Sequence, residues 1–282
     1  MRKAALLGLL LLSVACAPAT SVPSAAEDVQ PSIRPPDALA SVSGLTPAEV
    51  EAELQYLQVA FAQEVPFVRA ITSGHDDDQV ARAQVAFTSS GLAIDTPQLI
   101  LVVDRNPAVQ EAVIMLARPV GSWIIVGGTP VSTGQAGRRD HYITPTGVFT
   151  HTADILDYRA EGTFNKNGIR GLGVKGMRVW DFGWQLAAKG WRSDGERGPI
   201  RMLLHATDPD RLEARIGRPA SQGCIRIPAA MNLFLDGHGV LNADYEHAAL
   251  DDARFRAVLR PGRIASTLAG RILLIVDSSA TR

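Results

Sequence analysis

The stretch Arg218-Pro219-Ala220-Ser221-Gln222-Gly223-Cys224-Ile225-Arg226-Ile227-Pro228 concentrates the chemistry of this chain. It holds one of only two cysteines in 282 residues; the other, Cys16, lies close to the N-terminus. The thiolate is the reactive form of cysteine, and a neighbouring imidazole generates it near neutral pH. The nearest upstream histidine is His205, which ends the apolar run Ile200-Arg201-Met202-Leu203-Leu204. Gly223 permits a tight turn that brings backbone N–H groups near the sulfur, where they can hold a tetrahedral oxyanion. Spacing by itself does not join His205 to Cys224.

The elements that must position these residues are mostly strands. Leu99–Val103, Ala112–Leu116, Trp123–Val126, Gly147–Thr150, Met177–Trp180, Ile200–Leu204, Ile225–Ile227 and Ile272–Val276 are β-type runs divided by Asp, Asn, Gly and Pro clusters. Short helices fit Pro209–Ile216 and Ala229–Asp236. Upstream, Thr46-Pro47-Ala48-Glu49 reads as a capping box with proline at the first helical position. It opens a segment from Glu49 to Ala70 with apolar residues at helical spacing, broken by Ser73-Gly74-His75-Asp76-Asp77-Asp78. A second helix spans about Gln79–Phe87. The fold class is mainly β with a few helices, with residues 45–92 as a small helical appendage.

The N-terminus bears an export signature. Met1-Arg2-Lys3 is a short basic n-region, and Ala4–Leu12 is an apolar run too short to span a bilayer. Ser13-Val14-Ala15-Cys16 resembles a lipobox, which makes residues 1–16 a lipoprotein signal and Cys16 a membrane anchor; Ala15-Cys16-Ala17 also fits ordinary signal peptidase. The Pro-, Ala- and Ser-rich residues 17–44 read as a tether. Either route places the protein in the periplasm or cell envelope and leaves Cys224 as the single thiol. A net charge of −1 with no basic run gives nucleic-acid binding no support. Two cysteines exclude a disulfide scaffold and a thiolate zinc site. No His-Glu-x-x-His, Gly-x-Ser-x-Gly or Ser-x-x-Lys motif occurs, which argues against zinc peptidases and common serine acyltransferases. No metal or cofactor is expected.

His205, fifteen intervening residues, then Ser221-x-Gly223-Cys224-Ile225-Arg226 resembles the signature of the L,D-transpeptidase (YkuD) catalytic domain. Pro130-Val131-Ser132-Thr133-Gly134, followed by Thr144-Pro145-Thr146-Gly147-Val148-Phe149, resembles an earlier motif of that family. The resemblance covers residues 97–242 and leaves 243–282 as an extension with one strand. It implies a β-sandwich-like fold and an enzyme acting on peptidoglycan stem peptides, without a cofactor. Cys224 is then the nucleophile and His205 the general base. Gly223, Ser221, Gln222 and Ala206 shape the site, with N–H groups of Gly223 and Cys224 as oxyanion donors. Arg226 aligns with an Asn-or-Arg position; it binds a substrate carboxylate or makes a structural ion pair. Tyr142 lines a cleft or an ordinary loop, and Trp180, Trp184 and Trp191 form a substrate wall or pack in the core. Gln222 stands where the family usually has histidine, and an amide cannot shuttle a proton. The resemblance implies a transpeptidase; a carboxypeptidase or hydrolase sharing the acyl-enzyme, and an inactive wall-binding module, are the alternatives.

Overall fold

The computed structural model describes residues 44–66 and 73–281. The signal segment, Cys16 and the tether up to residue 43 lie outside the described residues.

The capping box forms as its residues dictate. The Thr46 hydroxyl accepts from the Glu49 amide, and the Glu49 carboxylate accepts from the Thr46 amide at 2.7 Å, opening α1 (Pro47–Glu64). Helix α2 runs from Ser73 to Ser89, so the acidic stretch taken as a break is its first turn. Asp76 there meets the partial positive charge of the helix N-terminus.

The strands are β1 (Gln98–Asp104), β2 (Glu111–Ala117), β3 (Ile124–Pro130), β4 (Gly147–Thr150), β5 (Tyr158–Arg159), β6 (Arg178–Ala188), β7 (Arg197–Ala206), β8 (Ile225–Ile227) and β9 (Ile272–Val276). They form two mixed sheets, ordered β3-β2-β1-β9-β4 and β5-β6-β7-β8. The fold is therefore mainly β with a few helices, as the sequence texture predicts. Helix α3 (Ala229–Gly237) also falls where predicted, whereas Pro209–Ile216 yields only the 3-10 turn Glu213–Arg215. Helices α4 (Ala243–Asp251) and α5 (Ala253–Val258) and strand β5 have no counterpart in the sequence reading.

Alternation along the strands assigns the faces. Leu99, Leu101, Ile114 and Leu116 of the first sheet share a core with Trp180, Met202, Leu204, Ile225 and Ile227 of the second. The opposite face of the first sheet, with Ile100, Val102, Val113 and Met115, is covered by Val80, Ala83 and Phe87 of α2. Both its faces are dry, which is why β1, β2 and β9 read as unbroken apolar runs. The second sheet is different: β7 alternates exposed and buried positions from Arg197 to Met202, so its outer face is open there, whereas His205 and its partner Val179 are covered.

Two segments assigned to the periphery prove integral. Leu54, Leu57 and Phe61 of α1 lie in the shared core, so the N-terminal helices are layers of the domain rather than a separate appendage. Strand β9, placed in an extension, lies between β1 and β4 with parallel register Ile100↔Ile272 and antiparallel register Val148↔Leu274.

Behind the second sheet sits a fully buried ionic cluster. Asp157 accepts from Arg178 Nε at 2.8 Å, pairs with His151 Nε2 at 2.8 Å, and takes the Asp181 amide at 2.9 Å. Its amide donates to the Tyr245 hydroxyl at 2.8 Å, and the Tyr245 ring stacks on His151. Burial alone raises the Asp157 carboxyl pKa, but the charges of His151 and Arg178 and the Asp181 amide outweigh it and the net shift is downward. Asp236 of α3 completes the set with Arg159 at 2.8 Å.

Asp157→Ala removes the nearer counter-charge of buried Arg178, leaving only Asp236 at 3.8 Å, and should lower unfolding free energy by about 3 kcal/mol. Urea denaturation checks this; replacing Asp157 and Arg178 together with leucine and methionine should be far milder.

Candidate active site

The outer face of the second sheet collects the residues singled out above. Strands β7 and β8 run parallel with register Leu204↔Ile225 and His205↔Arg226. Ile225 and Ile227 enter the core, so Arg226 faces outward beside His205, and Cys224 immediately precedes this pair of strands. The Cys224 Sγ lies 3.7 Å from the Arg201 carbonyl of β7. Cys224 is partly buried, and it is the free cysteine among the described residues.

His205 is buried, and its Nδ1 lies 2.7 Å from the Ala206 carbonyl. A carbonyl only accepts, so Nδ1 carries the proton and Nε2 keeps the basic lone pair. Ala206 thus fixes the tautomer through its main chain, which any side chain there allows. Desolvation pulls the His205 pKa down to about 4, with the Arg226 charge adding to the fall and the Ala206 bond opposing it. Burial pushes the Cys224 thiol pKa up, opposed by the Leu203 backbone and the Arg226 charge. At neutral pH the resting pair is therefore a neutral thiol and a neutral imidazole. Such a pair attacks by passing the thiol proton to nitrogen as the bond forms.

The nucleophile loop is held by its own polar atoms. The Ser221 hydroxyl donates to the Cys224 carbonyl at 2.5 Å and accepts the Gly223 amide at 3.0 Å. That bond occupies one of the two expected oxyanion donors, Gly223 N–H. The Cys224 N–H has no acceptor among the described residues. Gly223 has φ of +130°, and a Cβ there would sit 2.8 Å from Ile200 Cδ1, so the position requires glycine.

Arg226 makes a single side-chain bond, Nη1 to the Ala220 carbonyl at 3.3 Å, and its Nε is buried without a partner. No described carboxylate pairs with it, so the structural ion pair considered above is absent among the described residues. Desolvation lowers its pKa, only partly opposed by Cys224. Gln222 is exposed. Tyr142 is half-buried: its amide donates to the Gln222 carbonyl at 3.2 Å, and its ring meets Trp191 edge-on at 5.1 Å. Of the tryptophans, Trp180 is core and Trp184 is 61% exposed on the outer face, opposite Arg201.

Three neighbours of the thiol escape the sequence reading. Arg201 Nε pairs with Asp181 at 2.7 Å, and Asp181 also acts electrostatically on Cys224. Tyr158 on β5 pairs with Val179, the strand partner of His205; burial, then the Asp181 and Cys224 charges, raise its phenol pKa. Alternation in Pro199–His205 does place Arg201 on the His205 face; a two-residue strand such as β5 leaves no periodic signal.

Among the described residues no group of three or more His, Cys, Asp or Glu is placed to hold a metal ion. No protein-family model and no curated protein matches the chain. Among solved structures it is similar to a fused Zn-dependent amidase/peptidase/peptidoglycan-binding domain-containing protein from Clostridium acetobutylicum, at 12% identity and TM-score 0.28. The match covers 74% of this chain and 65% of that one. It is also similar to Bd1075 of Bdellovibrio bacteriovorus, at 13% identity and TM-score 0.28, over 64% of this chain and 48% of that one. The matched part spans less than two thirds of either protein. Likeness at this distance says nothing of substrate, and the functional reading rests on the site.

His205 also sets a pH dependence. An unfolded histidine takes up a proton near 6.5, whereas the folded one does so only near pH 4. Stability is thus whole above the unfolded value and falls as pH drops toward the folded one. At about pH 4.5 the loss is about 2.5 kcal/mol. Urea midpoints across that range should fall less steeply in His205→Gln, by about that amount.

Proposed function

We propose that this protein is an exported cysteine acyltransferase of the bacterial cell wall, an L,D-transpeptidase acting on peptidoglycan stem peptides. The single observation that carries the chemistry is the Nδ1 bond of His205 to Ala206, which leaves the Nε2 lone pair as a base on the strand paired with the one that Cys224 precedes. The substrate class rests on the motif resemblance.

In the proposed reaction His205 Nε2 takes the thiol proton as Cys224 Sγ attacks the amide carbon joining diaminopimelate to D-Ala. The carbonyl π pair moves to oxygen and gives a tetrahedral oxyanion. Its collapse breaks the C–N bond, and the proton on His205 passes to the departing amine of D-Ala. The thioester then meets the amine of a second stem, whose extra proton leaves through His205, and the thiol is restored. Arg226, half-buried and without a carboxylate partner among the described residues, is suited to a carboxylate of the stem.

Hydrolysis of the same thioester is the second reading. Gln222 is exposed beside the nucleophile loop, and an amide places water as readily as an amine without taking a proton from either. By the N-terminal signature the enzyme works in the envelope, anchored at Cys16 if the lipobox is used.

The test is incubation with purified disaccharide tetrapeptide and mass spectrometry of the products. Crosslinked dimer with released D-Ala is expected; tripeptide alone selects the hydrolytic reading, and neither product ends both. Folded Cys224→Ala should be inactive, and Arg226→Leu should raise KM about tenfold or more through loss of a charged hydrogen bond.

A further inference from the structure

The nucleophile loop is gripped from one side by residues 141–144, which the proposed reaction does not use. The Ser221 carbonyl lies 2.9 Å from His141 Nδ1, the Gln222 carbonyl accepts the Tyr142 amide at 3.2 Å, and the Gly223 carbonyl accepts the Thr144 hydroxyl at 2.8 Å. These are consecutive carbonyls, and all point toward residues 141–144. A trans peptide directs its N–H opposite to its C=O, and no peptide among the described residues is cis. The Gly223 carbonyl therefore aims the Cys224 N–H away from Thr144, and that N–H has no acceptor among the described residues.

Thr144 is fully buried, and its hydroxyl has no freedom of choice. It accepts the Gly134 amide at 2.8 Å, so its own proton must go to the Gly223 carbonyl. Gly134 has to be glycine for this contact: a Cβ there would lie 2.0 Å from the Tyr142 carbonyl and 2.7 Å from the Thr144 amide. On the far side, the Thr133 carbonyl accepts both Ala220 and Ser221 amides, and Thr133 is in turn held by Gln110. The grip thus passes from Gln110 through residues 133–134 and Thr144 to the peptide bond before the nucleophile.

We propose that Thr144 is a positioning residue for acyl transfer: by holding the Gly223 carbonyl it turns the Cys224 N–H into the oxyanion donor. The reacting atoms never touch Thr144. Its effect is confined to steps that develop charge on a carbonyl oxygen, which separates it from a residue that merely shapes the thiol. The proposal deepens the acyl-transfer reading of this site and rests on Cys224 being the nucleophile.

The experiment compares two reactions of the same sulfur in the full-length protein. Acylation by p-nitrophenyl acetate passes through an oxyanion, whereas alkylation by iodoacetamide displaces iodide and forms none. Rates are corrected with Cys224→Ala. Thr144→Val should slow acylation about tenfold or more, up to the roughly 10²-fold of losing the donor outright, and leave alkylation unchanged within about twofold. Thr144→Ser, which keeps both hydrogen bonds, should restore the wild-type ratio. If Thr144→Val does not fold, Thr144→Ala is read in the same way. Parallel loss of both reactions, or no loss of either, overturns the proposal and makes Thr144 a packing residue. A wild type that alkylates but does not acylate above the Cys224→Ala blank defeats the acyl-transfer reading itself, and the role of Thr144 with it.

Discussion

The register between β7 and β8 is the constraint on which the site depends. Side chains alternate across a strand, so a slip by one residue would exchange every inward and outward position. With Leu204 opposite Ile225, two isoleucines of β8 enter the core and Arg226 stands outside beside His205. One residue's displacement would bury a guanidinium and expose Ile225 and Ile227. The apolar transfer energy of those side chains, of order 1.5–3 kcal/mol each, therefore fixes the chemistry as well as the fold.

Two polar assemblies work on either side of that register. On the loop side, residues 133–144 satisfy the carbonyls and amides around Ser221 and leave few conformations open to the nucleophile. On the strand side, Asp157 ties the Asp181 amide to Arg178, while the Asp181 carboxylate holds Arg201, whose carbonyl meets the sulfur. The buried charges are costly to desolvate, and they are tolerated because each carboxylate oxygen of Asp157 has donors. Together these assemblies let a short loop keep one geometry without a disulfide or a metal among the described residues.

Much of this is legible in the residues. The apolar runs of β1, β2, β7, β8 and β9 mark themselves by composition, and the capping box at Thr46 by its two reciprocal partners. Cys224 and His205 stand out because thiols and imidazoles are scarce in the chain. What stays hidden is long-range. Nothing local in Ile272–Val276 says that it pairs with both β1 and β4, and the amphipathic pattern of α1 does not name the core it covers. Helix α2 begins at Ser73 because acidic residues suit a helix N-terminus as well as a turn, and sequence alone does not choose. Thr144 lies within a quoted motif, yet a threonine before a proline reads as turn chemistry until its hydroxyl is seen between two distant backbone groups.

The place of β9 has a consequence for how the molecule comes into being. During synthesis the chain emits β1 through β8 while both flanks of the gap between β1 and β4 remain unpaired. Strand β4, which begins three residues after Thr144, hydrogen-bonds within its sheet only to β9. Until residue 276 has emerged, β4 has no strand to pair with, and residues 141–143 are held only from the second sheet, where the Ile143 amide donates to the Ala188 carbonyl of β6. Pairings of such long sequence separation form slowly, because the closure entropy of the intervening chain is lost before any contact rewards it. Closure of the first sheet is thus a late event, and a nascent or C-terminally clipped chain carries its thiol while that sheet is still split between β1 and β4.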